Sequence, residues 1–168
     1  MRFFGIDPGY ALVGWAVIDF DDVRNARLID YGVITTDKHL TIPERLNEIA
    51  VDISFLLDKF QPQFAGVETL LFQKNVKTAM SVSQARGVML YMLQNLGIGI
   101  VEVSPLQVKS SIAGYGRATK AQVQENVRMI CGLQEVPKPD DAADAVAVAI
   151  CAYDMIYSGN LSSRQQSE

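Results

Sequence analysis

The order of its apolar segments constrains the fold of this chain most. Three segments with strand-type patterns, Arg2–Asp7, Ala11–Asp19 and Arg27–Thr35, follow one another through short connections, which predicts an antiparallel meander. From residue 42 onwards, helical and strand-type patterns alternate. This order predicts an α/β protein with one mixed five-stranded sheet and helices on both of its faces.

The later elements are predicted from periodicity and from start and stop signals. Thr41 and Glu44 form a capping-box pattern at the start of a helix over Ile42–Phe60. The further predicted elements are a strand Gln63–Glu68, a helix Val76–Leu96, a strand Ile98–Val103, and helices over Leu106–Ala113, Lys120–Cys131 and about Asp141 to Tyr157. Residues 1–157 are therefore expected to form a single domain, and residues 158–168 a polar, disordered tail.

Acidic residues stand where three of these elements end or begin. Asp7 and Glu68 close apolar strands, and Asp141 and Asp144 open the last helix. A carboxylate beside buried strand residues loses hydration, and several carboxylates brought together repel one another. A hard cation such as Mg²⁺ relieves both effects, because it takes oxygen ligands and keeps room for water and phosphate. The four residues are therefore predicted to form a two-metal site that cleaves phosphodiesters.

Each of these acidic residues also has a structural interpretation. Asp7 precedes Pro-Gly, a common turn sequence, and Asp140 or Asp141 can cap the helix that follows. Glu68 forms neither turns nor strands readily, and Asp144 lies too far inside its helix to cap it. The coincidence of the acidic residues at three element ends favours the metal site.

Composition excludes several classes of protein. The hydrophobic fraction of 49% and the charged fraction of 20% are those of a globular protein, and no apolar run predicts a signal peptide or a membrane span. The only histidine, His39, excludes a histidine-rich zinc site. Cys131 and Cys151 have no metal-ligand spacing, so free thiols in a reducing compartment, the cytoplasm, are expected.

The distribution of charge leaves nucleic-acid binding open. The net charge is −4, yet residues 70–130 hold seven basic and two acidic side chains, a local balance of +5. A basic middle beside an acidic cluster suits a protein that binds phosphates near metal ions. A solvated helical surface is the alternative explanation.

The chain resembles RuvC-type Holliday junction resolvases, bacterial endonucleases that act on four-way DNA junctions. The matching motifs occur in the family's order and are GIDPG at 5–9, VE at 67–68, QARGV at 84–88, QVK at 107–109, GYGRATKAQV at 114–123 and DAADA at 141–145. The order of elements likewise resembles the ribonuclease H-like fold.

This resemblance implies a homodimer that makes paired symmetric nicks during recombination and repair. It implies two Mg²⁺ ions per active site, with Mn²⁺ as a substitute, in-line attack of water on phosphorus, and branch-migration partners of the RuvA and RuvB type. The family's four acidic residues fall on Asp7, Glu68, Asp141 and Asp144. Asp140 has no counterpart among them.

The resemblance also implies DNA contacts. Lys109 and Lys120 match family lysines near the site, where they would neutralise the scissile phosphate. The family has an aromatic residue three positions after the strand-end glutamate, thought to stack on bases; here Leu71 stands there, with Phe72 adjacent. A leucine can wedge between bases but cannot stack as a ring does. The expected DNA-binding set is Leu71, Phe72, Lys74, Lys77, Lys109, Arg117 and Lys120.

Two other functions stay open from the sequence. One is a junction-binding protein without turnover, which the acidic residues disfavour because a binder gains nothing from acids near phosphate. The other is a related ribonuclease H-like nuclease with a different nucleic-acid substrate. The Gly-x-Gly-x-Ala-x-Lys stretch at 114–120 favours the junction resolvase.

Overall fold

The computed structural model describes residues 1–21, 23, 25–70 and 76–165, without the side chains of 76–78 and 158–165. Its strands are β1 (Arg2–Asp7), β2 (Leu12–Phe20), β3 (Ala26–Thr35), β4 (Phe64–Glu68) and β5 (Gly99–Val103). Its helices are α1 (Ile42–Phe60), α2 (Val76–Asn95), α3 (Pro105–Ala113), α4 (Lys120–Ile130) and α5 (Asp140–Gln165). None of the described helices is both long and apolar enough to cross a membrane.

The five strands form one mixed sheet in the order β3-β2-β1-β4-β5. β1 and β3 run antiparallel to β2, whereas β4 runs parallel to both β1 and β5. The predicted meander and mixed five-stranded sheet are therefore confirmed. Because β1 and β4 are parallel neighbours, their carboxyl ends lie at the same edge of the sheet, and this edge holds Asp7 and Glu68.

Helices cover both faces of the sheet, as the sequence predicts. Successive residues of β1 point to opposite faces, so that Phe3 packs with α3, α4 and α5 in one core and Phe4 packs with α1 and α2 in the other. Both phenylalanines are fully buried. Burial of such a side chain contributes about 1.5–3 kcal/mol to stability, which fixes the register of β1 between the two layers.

Helix α5 lies unusually close to the sheet because three strands present glycine to it. A Cβ built on Gly14 would stand 2.0 Å from the Asp141 carbonyl oxygen, and one on Gly5 would stand 2.0 Å from that of Ala145. On β4, a Cβ at Gly66 would stand 2.8 Å from the backbone of α5. Only strands without side chains at these positions admit the helix. We call Gly14, Gly5 and Gly66 the glycine track.

Element bounds differ from the predictions mainly at the end of the chain. The last helix was expected to end at about Tyr157, but α5 continues to Gln165. Gly159 and Asn160 favour a helix end, but no proline interrupts the segment, and once a helix has formed each further residue adds one hydrogen bond. Whether residues 158–168 are a tail separate from the domain stays a prediction. At α1 the predicted capping box is present, with the Thr41 N–H donating to Glu44 Oε2 at 2.8 Å.

We predict that Gly5→Ala destabilises the protein by more than about 2 kcal/mol, because the new Cβ overlaps backbone that cannot move without shifting α5. Urea unfolding monitored by circular dichroism measures the loss. Gly32→Ala on β3 is the matched control, since its Cβ would meet only the Trp15 indole, at 3.0 Å, and we expect a change below about 1 kcal/mol. Equal effects of the two substitutions would contradict the close-packing explanation.

Candidate active site

Asp7 and Glu68 are neighbours at the carboxyl ends of β1 and β4. The preceding residues, Ile6 and Val67, pair directly in the parallel ladder, so the two acidic residues occupy equivalent positions one residue beyond the paired region. Their carboxyl groups interact through a hydrogen bond. The β-ladder therefore brings together two acidic residues that are 61 positions apart in the sequence.

The start of α5 adds the other two acidic residues. The carbonyl of Asp141 lies against Gly14, which is the residue of β2 that pairs with Asp7. Asp144 follows one helical turn later, and its charge acts on both Asp7 and Glu68. The glycine track thus sets the position of both α5 carboxylates over the strand ends.

We call Asp7, Glu68, Asp141 and Asp144 the acidic centre. Burial and mutual repulsion dominate its electrostatics. Desolvation raises the pKa of Asp7 to about 8, with further contributions from the charges of Glu68, Asp144 and Asp141. The pKa values of Glu68 and Asp144 are also raised, again chiefly by burial. At neutral pH the centre without a cation therefore keeps a proton on Asp7, which is what a site short of positive charge does.

Among the described side chains, Lys120 supplies the positive charge that acts on this centre. Its Nζ lies 2.9 Å from Asp144 Oδ2 and 3.2 Å from Asp140 Oδ2. Partial burial lowers the pKa of Lys120, but the hydrogen bonds to Asp144 and Asp140 outweigh it and the net shift is upward. The ammonium group therefore stays charged and neutralises part of the acidic centre from the α4 side.

Asp140, for which the sequence indicates only a helix-capping role, lies beside Lys120, with Lys120 Nζ 3.2 Å from Asp140 Oδ2. Asp140 also accepts a hydrogen bond from Gln124 Nε2 at 3.2 Å, and the bond to Lys120 lowers its pKa. It is a mostly exposed second partner for the lysine. The helical spacing of positions 140, 141 and 144 could have indicated this contact only if the position of α4 had been known.

A cavity of about 240 Å³ opens beside the carboxylates. Glu68, Asp144, Lys109 and Lys120 line its polar side, so the two lysines that match family motifs reach the same space as two of the acidic residues. Its apolar side is formed by Pro105, Val108, Val123, Ala147 and Val148. The arrangement has room for a phosphate group between lysines and acids.

Of the remaining predicted DNA contacts, only Arg117 has a described side chain. Arg117 is exposed in the connection between α3 and α4 and is not among the lining residues. The predictions for Leu71, Phe72 and Lys74 lie outside the described residues. Lys77 is in the first turn of α2, but its side chain also lies outside the described part of the chain.

Arg86 and Arg45 form contacts at the strand ends. Neither has a functional role predicted from the sequence. Arg86 of α2 donates from Nε to the Glu68 carbonyl oxygen at 3.0 Å. Arg45 of α1 is buried; its guanidinium lies 3.8 Å from the centre of the Tyr10 ring, in the turn that follows Asp7. Its Nε also donates to Thr36 Oγ1 at 2.7 Å. These three contacts join residues on separate elements of the chain, so local sequence patterns carried no signal for them.

The donor chemistry of the centre fits a hard divalent cation. Asp7, Glu68 and Asp144 offer half-buried carboxylate oxygens, the ligand type that Mg²⁺ prefers, and partial desolvation followed by the nearby negative charges raises their pKa values. Within the described part of the chain, no group of three or more acidic, histidine or cysteine side chains is already arranged as a metal site. A cation would compete with the proton on Asp7 and with the ammonium group of Lys120 for these carboxylate oxygens.

Comparison with known proteins agrees with this arrangement. The family profile of "Crossover junction endodeoxyribonuclease RuvC" matches residues 3–152. The protein of that name from Finegoldia magna is 49% identical over 151 residues, which cover 90% of this chain and 92% of the relative. The Thermus thermophilus RuvC structure superposes with a TM-score of 0.85 at 32% identity, covering 93% of this chain and 96% of that one.

A second structure, Thermus thermophilus RuvC in complex with a Holliday junction substrate, also gives a TM-score of 0.85, at 34% identity over 90% of this chain and 92% of that chain. The mixed sheet with helices on both faces and an acidic edge defines a ribonuclease H-like α/β protein. Within that class, the chain belongs to the crossover junction endodeoxyribonuclease RuvC family.

We predict that Asp7 makes the cation-free protein less stable as pH rises. Its pKa is about 8 in the folded chain and about 3.9 when unfolded, so the folded state binds the proton more tightly. The resulting stabilisation is complete below about pH 4 and is lost as pH rises through about 8. Asp7→Asn removes this dependence and should be the more stable protein at pH 9 by roughly 1–3 kcal/mol.

Urea unfolding in EDTA between pH 5 and pH 9 measures this difference. Asp52→Asn, at an exposed aspartate of α1, is the control and should keep the wild-type dependence on pH. If the Asp7→Asn curve ran parallel to that of the wild type, Asp7 would not be the group that holds the proton.

Proposed function

We propose that this protein is a structure-specific endonuclease that resolves four-way (Holliday) DNA junctions by paired symmetric nicks in recombination and repair. The observation that carries the proposal is the acidic centre at the shared edge of β1 and β4, under the start of α5. It occurs in a chain of the RuvC family that aligns over 90% of its length with a RuvC solved on a Holliday junction.

The family's nucleases depend on a divalent metal. We propose that here the metal is Mg²⁺, with two ions per site and Mn²⁺ as a substitute, held by Asp7, Glu68, Asp141 and Asp144. When bound, Mg²⁺ supplies the lowered pKa of a water nucleophile and charge stabilisation at the phosphate. The support for this ligand set is the desolvation of three of its carboxylates and the repulsion among them.

The side chains of the site have separate tasks in this proposal. Asp7 and Glu68 would both hold the metal as carboxylates, with the proton of Asp7 released to solvent. Lys120 exchanges its bond to Asp144 for one to the DNA phosphate, and Lys109 reaches the same cavity from α3. Two ammonium groups facing one phosphate stabilise the charge that develops on it during in-line displacement.

We place the remaining DNA contacts on both sides of this centre. Leu71, Phe72, Lys74 and Lys77 follow Glu68 within nine positions of the sequence, which is the reason for assigning them to DNA close to this carboxylate. Arg117, exposed on the connection before α4, lies three positions from Lys120. These positive charges would contact backbone phosphates, while Leu71 or Phe72 would separate bases at the junction centre.

A homodimer fits the two-fold symmetry of a four-way junction. One face of α2 supports this proposal, because Met80 and Tyr91 on that face are 65% and 70% exposed. Gly87 lies on the same face and has no atom within 4 Å of the position of a Cβ. A mid-helix glycine lowers helix stability by about 1 kcal/mol relative to alanine, but it lets a second helix approach closely.

Two further parts of the proposal are the cellular compartment and the protein partners. Cys131 and Cys151 are free thiols, and burial raises the pKa of each to about 11, so neither is reactive at neutral pH. Such cysteines suit the reducing cytoplasm. Branch-migration partners of the RuvA and RuvB type are proposed from the family alone.

The direct test is cleavage of end-labelled four-way junctions with several sequences at the crossover, beside duplexes of the same sequences. We expect symmetric cuts in the junctions that require Mg²⁺ and vanish in EDTA. A cruciform in a supercoiled plasmid tests pairing, because its first nick releases the supercoiling and linear product forms only if both cuts occur within one complex. Tight junction binding without cuts in any sequence or metal would overturn the nuclease and leave a binder.

We predict that Glu68→Gln lowers the cleavage rate by at least about 10²–10³-fold while junction binding survives or tightens, since a negative charge near phosphate is removed. Glu102→Gln, on the neighbouring strand β5 and at a half-exposed side chain, is the matched control and should stay within about threefold of the wild type. Loss of junction binding together with cleavage in Glu68→Gln would instead assign Glu68 a folding role.

A further inference from the structure

We infer that Arg86 is a positioning residue for this site: it holds the backbone of Glu68 so that the Glu68 carboxylate faces Asp7 and Asp144. The inference rests on the proposed role of Glu68 as a metal ligand. It assigns a task to an arginine that lies within the apolar helix α2, on the face of the sheet opposite α5.

The contact is specific in its geometry. Arg86 Nε donates to the Glu68 carbonyl oxygen at 3.0 Å, across 18 positions of the chain. The same guanidinium pairs through a terminal nitrogen with Glu102 of β5, the residue that pairs with Val67 in the β4–β5 ladder. The Arg86 side chain is only 16% exposed. One side chain therefore ties α2 to the ends of two adjacent strands.

The carboxylate of Glu68 needs such an anchor because its surroundings repel it. Burial and the charge of Asp144 both act against the ionised form of Glu68, so the carboxylate would turn towards water wherever its backbone allowed it. Residue 68 is the last of β4, and the peptide that follows it donates the Thr69 N–H to the Val103 carbonyl oxygen of β5 at 2.8 Å. The bond from Arg86 to the Glu68 carbonyl holds the same peptide from its other side, so both of its polar groups are bonded.

Arg86 affects the position of the Glu68 backbone and leaves the charge of the acidic centre unchanged. Its own charge is paired with Glu102, and the groups whose charge or hydrogen bonds act on the Glu68 carboxylate are Asp144, Asp7 and Lys120. Arginine suits this task because its planar fork presents Nε and a terminal nitrogen to two acceptors in a fixed relation. Lysine can reach one of these acceptors at a time.

The test compares Arg86→Met, Arg86→Lys and Glu102→Gln with the wild type. The readouts are Mn²⁺ binding by calorimetry without DNA, the single-turnover cleavage rate at saturating junction, and junction affinity in EDTA. For Arg86→Met we expect Mn²⁺ affinity and cleavage rate each to fall about 10–100-fold, as when other supports of metal ligands are removed. Junction affinity should change less than about threefold, because no DNA contact is lost.

The two other variants separate the Glu68 contact from the ion pair. Arg86→Lys should recover part of both losses through a single hydrogen bond. Glu102→Gln keeps the Nε contact and should remain within about threefold of the wild type. Wild-type Mn²⁺ affinity in Arg86→Met, or equal losses in Arg86→Met and Glu102→Gln, would overturn the positioning role.

Folding and the proposed function are checked in the same series. Should Arg86→Met lack the circular dichroism and melting transition of the wild type, Arg86→Lys decides: a loss of Mn²⁺ affinity beyond that of Glu102→Gln supports the inference, and equality with the wild type overturns it. A wild-type protein that neither binds Mn²⁺ nor cuts junctions would refute the proposed function itself, which separates that failure from a failure of Arg86 alone.

Discussion

The close packing of α5 on the glycine track is the constraint on which the rest of the site depends. Gly14, Gly5 and Gly66 lie on three neighbouring strands, and the α5 backbone passes within reach of each. Alanines on the helix, several of them fully buried, complete a contact between two surfaces without large side chains. A bulkier sheet would hold α5 farther away, and Asp144 would then be too distant to act on the acidic residues of β1 and β4.

The second consequence of this packing is electrostatic. Carboxylates held together under a helix lose water and repel one another, so a positive charge bound among them stabilises the folded chain. In the cation-free protein, a proton on Asp7 and Lys120 beside Asp144 supply this positive charge. The site can therefore bind a metal ion in place of the proton, and the lysine can move away from Asp144, without a change of fold.

The fold could be predicted from the sequence almost completely, because apolar periodicity and capping signals are local. The capping box of Thr41 and the mixed sheet are examples, whereas the predicted end of α5 was wrong because the helix continues past Gly159 and Asn160, residues that locally favour a helix end. The grouping of Asp7 and Glu68 followed from their places at strand ends. The contacts of Arg86, Arg45 and Asp140 did not, since they depend on how separate elements pack. The metal-ligand roles of the four acidic residues stay a prediction.

Anomalous diffraction from crystals soaked in Mn²⁺ tests the central claim most directly, namely that this packing assembles a cation site. We expect anomalous density within about 2.5 Å of carboxylate oxygens of Asp7 and Glu68, with Lys120 moved away from Asp144. Saturating Mn²⁺ without density at these carboxylates, and with Lys120 still bonded to Asp144, would contradict it.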